Sequence, residues 1–449
     1  MATLLGLARL QTSPPKVARI SRQKGCSEVG RRSAPGKYFR VYLSAIGTAA
    51  AALLIASTGV AADEDYSAAD SADADPGVEF QTTTTTFGGA TPLETSRTVA
   101  HWSGMTANGV DGVTYRYNIV GADPGTDGSR VIGVDIIPVN VNVAGTSFNG
   151  SDAVNAVVAS PLFQNNNYSS TASATTAIGG KGAGGALSAD NTGVQLLDAT
   201  MRTQFDKVGS SSNYHLVLDT PVVFDPVAID VPDGMGILMT PGFITYANVD
   251  SHWFSTRIQN ELGRLHLDPT RLAIFLTDDV ILSDGPNAAG GFVLGAHGAG
   301  PATSSSNGSA HGSGNQAVQT FVWSSWLTPG FFRRQTNFAV QDVYSLSHEV
   351  VEWANNPFGD NTVLPWRSSA APQYGCSNVF ETGDPVFRLG FTLGHNPLHE
   401  RFSDGTYHLS DEALLPWFMR SAPATQGGRF TFLGNLNPIA SFHQPAPTC

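Results

Sequence analysis

The stretch Val340-Gln341-Asp342-Val343-Tyr344-Ser345-Leu346-Ser347-His348-Glu349-Val350-Val351-Glu352-Trp353-Ala354 decides how this chain is read. At about 100° per residue, Val340, Val343, Leu346, Val350, Trp353 and Ala354 gather on one side of a helix, the side that packs. His348 and Glu352 are four residues apart, so about 40° apart around the axis, and fall together on the opposite side with Glu349 beside them. Asn355-Asn356-Pro357 ends the helix, because the residue before a proline is pushed out of the α region.

This H-E-x-x-E arrangement is one residue away from H-E-x-x-H, in which residues at i and i+4 grip a zinc ion and the intervening glutamate acts as general base. A carboxylate here replaces the second imidazole. Zinc accepts both donors at about 2.0–2.2 Å, and a position left to water lowers that water's pKa towards about 7. Glu349 would then take its proton. With 11 His and ten Glu in the chain, the motif is expected by chance about 0.005 times. The competing reading is a solvated helix face whose charged groups pair with neighbours.

A third ligand must come from elsewhere in the chain. Phe380-Glu381-Thr382-Gly383-Asp384-Pro385 is a turn-forming stretch beyond the helix, and either Glu381 or Asp384 is placed to reach back, with Glu381 favoured narrowly. The plain alternative is punctuation by Gly383 and Pro385. Three further histidine settings need weighing. His297, in Val293-Leu294-Gly295-Ala296-His297-Gly298, sits where a strand meets a polar loop and is either a substrate-facing or transition-state-stabilising residue or a surface histidine. His395 and His399 share helical spacing, but Pro397 between them argues against a helix. His408 precedes an apolar helix expected over Ser410–Met419 with Ser410 as N-cap.

The surrounding 449 residues contain 41% hydrophobic but only 14% charged residues, against about 25% charged in an average soluble domain. That excludes a coiled coil and a charge-driven disordered chain. Residues 1–62 hold nine Lys or Arg and one acid, and Val41–Ala62 is rich in Ala, Leu, Ile and Val and ends in small residues before Asp63-Glu64-Asp65. The segment reads as an export signal, with a membrane anchor over 41–62 as the alternative. The remaining 387 residues carry 16 basic and 36 acidic side chains, net −20. Such a surface repels nucleic acid and anionic membranes. Only Cys376 and Cys449 remain beyond the leader; they are either a disulfide, as suits an exported protein, or two free thiols.

Residues 63–98 are acidic and rich in Ala, Ser and Thr, with too few large apolar residues for a core, and read as a disordered spacer. The folded part is 99–449, with a β-rich stretch 99–330 and the metal-helix part 331–449. Strands are expected at Thr114–Val120, Val131–Val143, Tyr214–Asp219, Gly236–Tyr246, Leu272–Leu282 and Val318–Trp326, and helices at Asp152–Val158, Val194–Lys207 and Trp253–Leu265. The fold class is therefore α+β. Ser169–Ala189 and Gly298–Gln316 read as long polar surface loops. No phosphate-binding glycine loop appears in a strand-to-helix setting.

The stretch Ser345–Pro357 resembles the active-site helix of the zincin metallopeptidases. Together with Ser160-Pro161-Leu162-Phe163-Gln164, Gly295-Ala296-His297-Gly298-Ala299, Glu381-Thr382-Gly383-Asp384-Pro385 and Tyr407-His408-Leu409, it is similar to a group of secreted bacterial proteins with a zincin-like helix, over roughly residues 130 to 420. The resemblance implies a zincin-like fold in which this helix packs beside a strand sheet. It implies His348 and Glu352 as metal ligands, an acid from Glu381–Asp384 as the third, and Glu349 as the base. It departs from characterised zincins at Glu352, where they usually carry histidine. Two carboxylates and one imidazole form a harder site, so Ca²⁺ or Mn²⁺ competes with Zn²⁺ as the expected ion. The leading expectation is a secreted zinc-dependent peptidase acting on peptide or protein substrates. The rivals are a metal-free glycosidase using Glu349, Glu352 and Glu381, and a non-catalytic extracellular binding protein on the same scaffold.

Overall fold

A computed structural model of the chain describes residues 97–166, 168, 193–205, 207, 212–240, 244–283, 292–302, 317–329, 340–367, 375–387, 389–398, 405–422, 430–432 and 449, together with short extended stretches at Thr3–Leu7, Ala174–Thr175 and Lys181–Gly182. The expected leader beyond Leu7, nearly all of the spacer, most of both long loops and His399 lie outside the described residues. In chain order the strands are β1 (His101–Ala107), β2 (Thr114–Val120), β3 (Ser129–Ile132), β4 (Val134–Val143), β5 (Thr146–Asn149), β6 (His215–Leu218), β7 (Val222–Val223), β8 (Val227–Asp230), β9 (Gly236–Met239), β10 (Tyr246–Asp250), β11 (Leu272–Asp278), β12 (Val280–Ser283), β13 (Phe292–Pro301), β14 (Val318–Trp326), β15 (Thr362–Trp366), β16 (Ser377–Val379), β17 (Gly390–Leu393) and β18 (Tyr407–Ser410). The helices are α1 (Gly150–Val158), α2 (Leu196–Gln204), α3 (Ser251–Arg264), α4 (Tyr344–Asn355) and α5 (Leu415–Phe418).

A mixed sheet in the order β7-β4-β11-β14-β13-β12-β10-β9 forms the centre. Strand β4 runs parallel to both β7 and β11, and β11 is parallel to β14. A strand enclosed this way is covered on both faces, which is why β4 is rich in Val and Ile on either side of the pleat. Beyond β14 the direction reverses: β13 is antiparallel to β14, and Thr3–Leu7 also pairs antiparallel with β13. Alternation along the strands divides the apolar residues between two layers. Ile137, Phe275, Phe321 and Trp323 meet Phe254, Ile258 and Leu262 of α3 in one of them. In the other, Ile136, Ile274 and Val322 share a core with Val343, Leu346, Val350 and Trp353 of the α4 segment, and with Val157 of α1 and Leu197 of α2.

Thr114–Val120 and Val318–Trp326 form the strands expected of them. Three longer runs divide. Val131–Val143 breaks at Gly133, and Leu272–Leu282 breaks at Asp279, whose φ of 48° no strand accommodates. Gly236–Tyr246 becomes β9 and the start of β10. The helix expected over Ser410–Met419 is corrected. Tyr407–Ser410 pairs with β17 as a strand, and only Leu415–Phe418 is helical, with Leu414 rather than Ser410 at its N-cap and Pro416 in its first turn.

Helix α4 begins at Tyr344 rather than Val340, because Asp342 takes a φ of 41° and its carboxylate accepts the N–H of Val343. The solvated-face reading of this helix is overturned: every residue of α4 is buried. A helix enclosed all round sits inside the molecule rather than on it. Cys376 and Cys449 are joined by a disulfide, with Cα atoms 5.8 Å apart. Among the described residues no helix is long and apolar enough to cross a membrane.

Candidate metal centre

Strand alternation and two glycines bring the site together. On β13, Gly295 and His297 share the face turned to α4, while Ala296 packs in the opposite layer. A Cβ on Gly295 would stand 2.6 Å from Glu349 Cγ and 2.7 Å from Ser345 Oγ, so only glycine lets the helix approach this closely. Gly383 does the same from the other side, since a Cβ there would lie 2.3 Å from His348 Nδ1.

His348 Nε2 lies 3.1 Å from Glu352 Oε1 and 3.6 Å from Asp384 Oδ1, yet neither ring nitrogen of His348 makes a hydrogen bond. The N–H groups of Gly383 and Asp384 donate to Glu352 Oε1 at 2.9 and 3.2 Å. Thus the turn that begins the short 3-10 helix Asp384–Val386 both supplies a carboxylate and orients another. His297 Nδ1 is 3.2 Å from Glu349 Oε2 and 3.7 Å from Glu352 Oε2, and its Nε2 is 3.5 Å from Glu381 Oε2. The surface reading of His297 is therefore overturned, because the residue is fully buried.

Of the residues expected from the sequence, the structure brings Glu352 and Asp384 to His348 and sets Glu349 beside them. Glu381 stands instead against His297, its Oε1 accepting a 3.0 Å hydrogen bond from Asn356 Nδ2. Sequence reasoning does not reach Glu412, whose Oε2 accepts from Thr382 Oγ1 at 2.7 Å while Oε1 has no hydrogen bond. His408 joins Asp342 and Gln341 in a separate buried group, with its Nδ1 2.7 Å from Asp342 Oδ2. His395 is exposed and takes no part in the cluster.

The electrostatics follow from burial and crowding. Burial opposes charge on His348, but Glu352 and Asp384 outweigh it and raise its pKa well above the ordinary value. Glu352 is raised by burial and lowered more strongly by His348, and ends below the usual range. Burial, then the Glu352 charge, push Glu349 well up and Asp384 up to about 6. Burial lowers His297 to about 4. Among the described residues, no Lys or Arg pairs with Glu349, Glu352, Asp384 or Glu412.

Four buried carboxylates without a fixed cation, beside imidazole nitrogens that make no hydrogen bond, suit a divalent ion. Donors about 2.0–2.2 Å from a tetrahedral ion stand about 3.3–3.6 Å from one another. The 3.1 and 3.6 Å separations around His348 Nε2 are close to that spacing. No protein-family model matches the chain, and neither a curated protein nor a solved structure is significantly similar to it.

Proposed function

We propose that this protein is an exported metal-dependent hydrolase on a zincin-like scaffold, most simply a zinc peptidase acting on peptides or proteins. The observation that carries the reading is the convergence of His348, Glu352 and Asp384, with His348 left without a hydrogen bond. These three residues would hold the ion, and the backbone N–H groups of Gly383 and Asp384 fix the Glu352 carboxylate. A bound divalent ion would supply Lewis acidity, polarising a carbonyl and acidifying a water. Glu349 Oε1, buried and without a hydrogen bond, is the oxygen that accepts a proton and later returns it to the leaving amine.

The Cys376–Cys449 disulfide supports export, since such bonds persist in oxidising compartments. Removal of a leader would also take Thr3–Leu7 away from β13, clearing the strand that carries His297. The glycosidase reading loses its support, because Glu349 and Glu352 offer oxygens within 4.8 Å of each other in a buried cluster rather than across a groove. A second reading rests on the same burial. With His348, Glu349 and Glu352 no more than 1% exposed, the ion would hold a non-catalytic binding protein together.

Zinc-loaded full chain assayed on a mixed peptide library separates the two. Cleavage that disappears in Glu349→Gln, with the ion at His348 retained, supports the hydrolase. No cleavage, with chelation unfolding the chain, supports the structural role.

A further inference from the structure

We infer that the cluster is built for two divalent cations, with Glu352 as the carboxylate shared between them. The inference rests on the metal-centre reading above and extends it to His297. The ligand atoms fall into two groups, His348 with Glu352 and Asp384, and His297 with Glu349 and Glu352, each within 4.8 Å. Glu352 belongs to both. Its Oε1 faces His348 Nε2 at 3.1 Å and its Oε2 faces His297 Nδ1 at 3.7 Å, so one carboxylate turns an oxygen towards each histidine. That is the arrangement of a bridging ligand between ions about 3.5–4 Å apart.

Two independent features point to the second position. Glu349 is fully buried, and its Oε1 makes no hydrogen bond even though Oε2 faces His297. Glu381 lies behind His297 with Oε2 3.5 Å from Nε2, longer than a hydrogen bond; a small closure of this contact on ion binding would fix the ring with Nδ1 turned towards the ion. Charge agrees with the count. With ions bound, Glu349, Glu352, Asp384 and Glu412 set four buried carboxylates beside the two histidines, which two divalent ions offset and one does not. Glu349 then binds through Oε2 and keeps Oε1 for a water.

The test uses chelator-stripped full chain reloaded with zinc, and its readout is zinc per folded chain by elemental analysis. Two ions per chain are expected, falling to one in His297→Ala. The Glu381→Gln variant should weaken the second ion about 10–100-fold. A single ion that His348→Ala abolishes and His297→Ala retains overturns the second position and leaves the hydrolase reading standing. No zinc in the folded native chain overturns both. Should His297→Ala not fold, the native chain loaded with two equivalents of Mn²⁺ decides by electron paramagnetic resonance. Spin-coupled ions support the bridge, and isolated ions overturn it.

Discussion

Glu349 and Gly383 each make a sharp prediction from a single side chain. Glu349→Gln keeps size and shape but turns one acceptor oxygen into an NH₂ donor and removes the proton acceptor, so turnover should fall about 10²–10⁴-fold while the ion at His348 stays. Steady-state kinetics alongside metal analysis checks both halves. Gly383→Ala places a methyl group 2.3 Å from His348 Nδ1. It should cost about 1–3 kcal/mol in chemical denaturation and weaken zinc binding, because the imidazole must move. His348, Glu349 and Glu352 are legible in the sequence because they share one helix, where spacing alone sets direction. His297 is not. It lies 52 residues from Glu349 and meets it only through the pairing of β13 within the sheet. The signal that could have placed it there is alternation, with Gly295 and His297 two residues apart on one face.

At the scale of elements, the last residue of β11, Asp278, and Asp279 just beyond it make a prediction free of the metal centre. Burial, then the charge of Asp279, push Asp278 up to about 8, and its Oδ1 has no hydrogen bond. Its folded pKa lies above its ordinary value of 3.8, so the fold favours the protonated form. The stability this contributes is complete below pH about 4 and is lost progressively as pH rises to about 8. Asp278→Asn stays neutral throughout. It should match the native protein near pH 4 and exceed it by about 1–3 kcal/mol near pH 8 in urea titrations. Runs of β-branched and aromatic residues make β4 and β14 readable, whereas the break between β11 and β12 depends on a positive φ at Asp279 that composition does not signal. The segment before α5 misleads for a related reason: Tyr407–Ser410 is a strand because β17 pairs with it, a contact that local periodicity does not contain.

Across the whole molecule, the disulfide and the metal centre each tie together segments distant in sequence. Cys376 and Cys449 are 73 residues apart, so reduction should lower stability by about 2–4 kcal/mol, measured by thermal unfolding with and without reductant. The mixed helix and strand content is legible from periodicity. The depth at which the sheet and α4 bury the His348 face is not, because polar residues on one side of a helix look solvated until a second buried cluster is found to meet them. Whether this buried face holds a metal is decided by calorimetric titration of zinc into chelator-stripped full chain and its Glu352→Ala variant, with folding confirmed by circular dichroism. Saturable zinc binding is expected of the native chain, with loss of that binding in the folded variant. A folded native chain that takes up no zinc, or a variant that binds it equally well, would show that His348, Glu352 and Asp384 do not form a metal centre.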